Sequence, residues 1–290
     1  MISALLVKEL REKSGAGMMD AKKALLETDG DLEAAQDWLR TKGLLKAEKK
    51  ASRIAAEGLV GVKVHNGEGM IIELNSETDF VATNEEFIQL VDLILDRGFG
   101  VSDKYELLNK DVFGKSFQEV INNKIATIGE NISLRRIKSI KGPNIYAYLH
   151  NSVSKDCGKI GVLVSLEGNN DEDFGKKLAM HIAATSPLAM SEKDLDKIVV
   201  DREKKIITEQ LVSEGKPADI AEKILSGKLK KFFEENTLLN QKFVMDPDVS
   251  IKELLDNNNQ TLINFARFKV GEGIDKKESD FAAEVKDIVS

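Results

Sequence analysis

The sequence is poor in several residue types. It holds one cysteine, four prolines, one tryptophan and three histidines in 290 residues. The single Cys157 excludes an internal disulfide and a multi-cysteine zinc site. No apolar run approaches the ~18 residues that a membrane-spanning helix needs. The Ala4–Val7 run is too short for a signal-peptide core, and Glu9 follows almost at once, so a cytosolic protein is expected. An excess of basic charge is missing too: 42 Lys and Arg face 49 Asp and Glu, a net −7. Residues 1–55 carry +2 and the remainder −9, which sets off an N-terminal module but falls short of a phosphate-backbone binder. What is present is 42% apolar and 31% charged side chains, enough for a sizeable core.

The period of the apolar residues divides the chain. Three short helices are predicted first. Leu6 and Leu10 mark one, Ser14-Gly15-Ala16-Gly17 breaks it, and Met18, Ala21 and Leu25 share a side of the second. Asp31 caps the third, whose face is Ala34, Ala35, Trp38 and Leu39 and whose stop is Gly43. Residues 44–56, rich in Lys and Ala, read as a helical linker. The period then falls to two. Val60, Val62, Val64 and Met70, Ile72, Leu74 flank Asn66-Gly67, a hairpin signal. A loop over 76–81 leads to a helix bearing Phe87, Leu90, Val91 and Ile94, with Thr83 and Glu86 as its capping box. Ser116 with Glu119 opens another.

Hairpin, strand and helix then recur over 132–185, as in two related α+β subdomains. Residues 191–235 carry two stripes, Leu195, Ile198, Val199, Arg202, Ile206 and Gln210 with Leu211 beside them, and Ile220, Ile224, Leu225, Leu229 and Phe232, joined by Gly215-Lys216-Pro217. They read as an antiparallel helical hairpin. A short helix from Ser250 and Glu253, a strand over 262–270 and a helix with Phe281, Val285 and Ile288 follow. The expected division is a three-helix unit with linker at 1–55 and one core subdomain at 56–140. The other subdomain takes 141–188 and 236–262, with the hairpin inserted at 189–235 and a C-terminal module at 263–290.

Chemistry is scarce. His65, His150 and His181 lack metal-ligand spacing, and no Gly-x-Ser-x-Gly elbow occurs. Gly15-Ala16-Gly17 and Gly271-Glu272-Gly273 do not continue to Gly-Lys-Ser/Thr, so there is no P-loop. Cys157 reads as an incidental surface cysteine and His181 as a satisfied, partly buried histidine. The Lys46, Lys49, Lys50, Arg53 cluster contains no aromatic residue to stack a base and reads as a solvated helix. Asp79-Phe80 resists a bland reading. The phenylalanine either folds back on its own core, staples the next helix, or protrudes as an anchor for a partner.

Five ordered segments bear a resemblance. Ser14-Gly15-Ala16-Gly17-Met18-Met19-Asp20 with Lys22-Lys23-Ala24-Leu25 resembles the N-terminal signature of the bacterial elongation factor Ts family. Glu77-Thr78-Asp79-Phe80-Val81-Ala82 and Met180-His181-Ile182-Ala183-Ala184 are similar to two further signatures. Phe243–Pro247 and Phe265–Ile274 resemble its C-terminal blocks. The resemblance implies an α+β protein with a ubiquitin-associated-like N-terminal domain. It implies guanine-nucleotide exchange on elongation factor Tu, with no enzymatic activity, cofactor, metal or bound nucleotide of its own. Thr78, Asp79, Phe80 and Val81 would enter the partner near its Mg²⁺ site and disturb its phosphate-binding region. Met18, Met19, His150 and His181 are further candidate contacts. The alternatives are an RNA-binding module of the translation apparatus using residues 46–53, and a small-molecule enzyme using His181.

Overall fold

A computed structural model describes residues 2–215 and 217–275. The expected last helix, with Phe281, Val285 and Ile288, lies outside the described residues, as does Lys216 of the expected hairpin turn.

The N-terminal helices are α1 (Ala4–Ser14), α2 (Met18–Glu27) and α3 (Leu32–Lys50). Ser3 and Asp31 cap α1 and α3 by accepting the Leu6 and Ala34 amides. Their small core is Val7, Leu10, Ala21, Ala24, Leu25 and Ala35. Gly43 does not stop α3, which continues for seven more residues. A Cβ at Gly43 would lie 3.6 Å from Asn123 Oδ1 and 3.9 Å from Ala126, both ordinary contact distances, so α3 packs directly against the helix carrying those residues. Of the segment expected as a helical linker, residues 44–50 continue α3, with Ala47 part of the main core, and residues 51–56 are not helical.

Strands β1 (Glu57–His65) and β2 (Glu68–Ser76) form a hairpin. Asn66 and Gly67 both take positive φ, 49° and 73°, matching the primed turn that suits the twist of two strands. Next come α4 (Asp79–Ala82), α5 (Glu85–Gly98), α6 (Lys104–Asn109), the two-residue strands β3 (Asp111–Val112) and β4 (Lys115–Ser116), and α7 (Phe117–Ile128). The cap of α5 is Asn84, which accepts the Glu86 amide; Thr83 instead closes the preceding turn. Ser116 and Glu119 form the expected capping box of α7.

The second half supplies β5 (Ser133–Lys141), β6 (Asn144–Ser152), β7 (Cys157–Gly168) and α8 (Glu172–Thr185). Beyond them lie α9 (Lys197–Ser213), α10 (Ala218–Asn236), β8 (Lys242–Phe243), β9 (Asp246–Ser250), α11 (Ile251–Asn257) and β10 (Gln260–Lys269). The strands of both halves join in one six-stranded sheet, in the order β10-β7-β1-β2-β5 with β6 also on β7. The junction is short: Val60 pairs with Gly158 and Gly61 with Cys157. The boundary expected after residue 262 falls inside β10, whose residues to Lys269 stay paired with β7.

Side-chain alternation along the strands feeds three cores. Leu59, Met70, Ile72 and Leu74 pack with Phe87, Val91 and Ile94 of α5 and Phe117 and Ile121 of α7. Val162, Val164 and Leu166 pack with Phe174, Leu178 and Ile182 of α8. Val60, Val62 and Ile71 meet Leu163, Ala266 and Phe268 between them.

Two further expectations change. Cys157 is completely buried in the first core, because it starts β7 at the junction with β1. In α9 the buried positions are Ile207 and Leu211, one turn apart, whereas Ile198, Val199 and Ile206 are exposed. The apolar face of that helix is thus turned by about one residue from the expected stripe.

Candidate partner-docking loop

Between β2 and α5 the chain makes a turn too short to hold itself. The four residues of α4 form one turn, and a helix of that length is unstable alone. Several hydrogen bonds fix it. The Ser76 hydroxyl donates to Thr78 O at 2.9 Å. The Thr78 side chain caps the turn by accepting the Val81 amide. At the far end the Thr83 hydroxyl donates to Phe80 O at 3.0 Å.

The four signature residues then divide by role. Thr78 is half-buried and engaged. Val81 packs against the first core, and Ala82 beside it is fully buried. Asp79 and Phe80 face outward, and the Phe80 ring is 82% exposed. Of the three fates open to this ring, folding back and stapling are excluded: it protrudes. A large apolar side chain held out by a pinned turn has its ordering cost already met, which favours docking into a partner's pocket.

The other candidates lie on separate elements. Met18 and Met19 begin α2 and are 60% and 74% exposed, so Met18 does not share the buried side of Ala21 and Leu25. His150 is exposed near the end of β6, with Nδ1 3.3 Å from the Tyr148 hydroxyl. His181 is completely buried, so its ring is not on the surface of the chain. Its Nε2 pairs with Gln241 Oε1 at 3.0 Å, and its Nδ1 accepts the Val244 amide at 3.3 Å. Burial pushes its pKa below the usual histidine value, and the Gln241 contact opposes this more weakly. A neutral ring donating to Gln241 and accepting from Val244 satisfies both nitrogens, so it ties α8 to the segment around β8.

Sequence reasoning named Glu77 only as part of the signature and missed Glu130 and Asn131, which meet the start of the loop from α7's end. The Glu130 carboxylate accepts the Glu77 and Thr78 amides at 3.1 and 3.0 Å and the Thr78 hydroxyl at 2.6 Å. No local pattern marks Glu130 except that it follows Gly129, the left-handed end of α7 at φ 90°. Among the described residues no group of three or more His, Cys, Asp or Glu side chains is placed to hold a metal ion. None of their helices is long and apolar enough to cross a membrane.

Comparison with known proteins adds the family. Residues 77–272 match the model of the family described as Elongation factor TS. The chain is 53% identical over 287 residues to Elongation factor Ts of Paracoccus denitrificans (strain Pd 1222), covering 98% of this chain and 97% of that protein. It is 51% identical over 284 residues to Elongation factor Ts of Ruegeria sp. (strain TM1040), with the same coverage. The chain belongs to the elongation factor Ts family. The matched span opens at Glu77, so the whole turn from Thr78 to Ala82, and Glu130 beneath it, lie inside the elongation factor Ts region. The helices with Met18 and Met19 precede that span but lie within the near full-length alignments to the relatives.

Proposed function

We propose that the chain is a cytoplasmic exchange factor. It binds elongation factor Tu carrying GDP and promotes nucleotide release by disturbing the partner's Mg²⁺ and phosphate-binding region, so that GTP can reload. The reading rests on family membership, and one observation supports the mechanism: Phe80 stands exposed on a turn anchored at both ends. In this reading Phe80 is an apolar wedge, and Asp79 acts through its charge on polar contacts around the partner's ion. The chain itself catalyses no covalent step and holds no nucleotide.

Magnitudes require more than the loop. A nucleotide held with nanomolar affinity is bound by ~12 kcal/mol. Weakening that about 10⁴-fold takes ~5.5 kcal/mol of differential binding. Burying one phenylalanine supplies ~1.5–3 kcal/mol. Other surfaces must therefore seat the loop, a task that suits the exposed Met18 and Met19. The coupling is reciprocal: nucleotide weakens the grip of this chain on its partner by the same factor, which permits release.

Nothing favours the RNA reading. Lys46 pairs with Asp20 at 3.1 Å, and Lys50 donates to Gly129 O. The test is release of labelled GDP from elongation factor Tu with and without the chain, beside direct titration of the chain with GDP. Accelerated release with no binding by the chain supports the reading. Micromolar binding of GDP by the chain alone, or unchanged release, overturns it.

A further inference from the structure

We propose that Glu130 is a positioning residue for the exchange step: its carboxylate aims the Phe80 turn at the partner. The inference rests on the exchange reading and names a residue that acts through Phe80 rather than by touching the partner.

The geometry is a reciprocal clasp. Strands β2 and β5 are paired up to Asn75 and Ser133, and past that point the backbone ladder ends. The two connections continue side by side through side chains. Glu130 accepts both amides at 77 and 78, while Glu77 Oε1 accepts the Asn131 amide at 2.6 Å. Each glutamate thus satisfies backbone donors of the other's turn. A third segment closes the clasp from the N-terminal side: the Arg53 guanidinium lies 3.5 Å from Glu77, and Asn131 Nδ2 donates to Arg53 O at 2.8 Å. Hydrogen bonds to a charged acceptor are the strong ones, and Glu130 makes three of them to two consecutive residues. The third fixes the hydroxyl of Thr78, the residue that caps the turn carrying Phe80.

The consequence follows from the shortness of α4. One turn cannot hold its direction by itself: Val81 and the buried Ala82 seat its far side on the first core, and Glu130 fixes the side where the chain leaves the sheet. Without the Glu130 carboxylate, residues 77–78 keep the Glu77–Asn131 and Ser76–Thr78 contacts but lose three of the hydrogen bonds that hold them. The Phe80 ring then samples many directions, and only the competent fraction inserts productively. Docking surfaces elsewhere are untouched, so the apparent affinity for the partner changes little while the maximal rate falls.

The experiment uses the full chain and elongation factor Tu loaded with labelled GDP, with circular dichroism and thermal melting as fold controls. Glu130→Ala is expected to lower the maximal release rate about tenfold, equivalent to ~1.4 kcal/mol, with KM for the partner within about twofold. Glu130→Gln, which keeps one acceptor oxygen for the two amides, is expected to recover most of that loss. In a Phe80→Ala background the Glu130→Ala change is expected to add less than about twofold, because both act on one event. Thr78→Val keeps the shape, removes one arm of the clasp together with the weak 3.5 Å cap on the Val81 amide, and gives an intermediate loss, so the proposal stays testable if Glu130→Ala fails to fold. A second readout needs no partner: 4-fluorophenylalanine at position 80 alone should give one narrow fluorine signal in the parent chain and a shifted or broadened one with Glu130→Ala or Thr78→Val. If the parent chain accelerates release but neither variant changes the rate or the fluorine signal, the proposal is overturned. The same holds if Glu130→Ala and Phe80→Ala are fully additive, since Glu130 would then act independently of the loop. A parent chain that fails to accelerate release instead overturns the exchange reading, while the fluorine signal still decides whether Glu130 orders the turn.

Discussion

Glu73, completely buried in the middle of β2, binds Arg136 of β5 through an Nε–Oε2 contact of 2.5 Å. Arg135 meets the same carboxylate at 3.0 Å, and the Gly271 amide donates to it at 2.8 Å. Arg136 also reaches Lys269 O and the Glu272 carboxylate. One buried charge therefore ties the turn after β10 to the opposite end of the sheet order. Gly271 is required there: at φ 71°, a Cβ would lie 2.3 Å from Ala56 O.

Removing that carboxylate takes the buried acceptor from two guanidinium groups and from the Gly271 amide, while both arginines keep contacts to Glu272. Glu73→Ala is expected to destabilise the chain by about 2–3 kcal/mol, below the usual 3–5 for a broken buried pair because both arginines reach solvent. Urea unfolding measures this. A loss under about 0.5 kcal/mol would mean that the network contributes no stability.

Cys157 is expected to be inert in the folded chain. Burial pushes its thiol up to about 12, with the Ser154 contact opposing and Asp92 nearby adding to the shift. The thiolate is the reactive form, so an aromatic disulfide reagent at pH 8 should react only after denaturant is added. Prompt stoichiometric reaction of the native protein would contradict the burial.

His181 gives a pH dependence with a definite sign. Its folded pKa is lowered by burial, so the unfolded chain binds the proton more readily. Stability is fully present above the unfolded value of about 6.5 and is lost as pH falls through the folded value. Unfolding free energies between pH 7.5 and 5 should decline, and His181→Gln should remove that part of the slope. An identical slope in the variant would mean that His181 is not the group responsible.

The residues show which features were legible in the sequence. Local signals were clear: Asn66-Gly67, the capping boxes at Ser116 and Ser250, and the change of period at β1 all depend on near neighbours. Two of the wrong expectations depended on distant partners. Gly43 resembles a helix stop until α7 packs beside it, and Cys157 resembles a surface residue until β7 meets β1. Asn84 displaced Thr83 as the cap because Thr83 is engaged with Phe80 O. The candidate turn was visible as a motif, yet the outward direction of Phe80 was not. Glu130 lies 52 residues from Thr78 in sequence, and no local pattern connects them.

Asp79 and Phe80 should fail differently. Asp79→Asn keeps the shape and removes the charge, so its defect in GDP release is expected to shrink when Mg²⁺ is chelated. The Phe80→Ala defect should persist, because packing does not depend on the ion. Stopped-flow release with and without chelator separates them. An Asp79→Asn defect that is equally large in chelator would remove the electrostatic role.

The central claim is that the exposed Phe80 ring drives nucleotide release, and stopped-flow GDP release from elongation factor Tu by Phe80→Ala beside the parent chain tests it most directly. The account predicts a rate lowered by the loss of ~1.5–3 kcal/mol, roughly 10- to 150-fold, with an unchanged melting temperature because the ring contributes little to the folded core. A parent-like rate from a fully folded Phe80→Ala chain would contradict it and leave the turn a structural feature only.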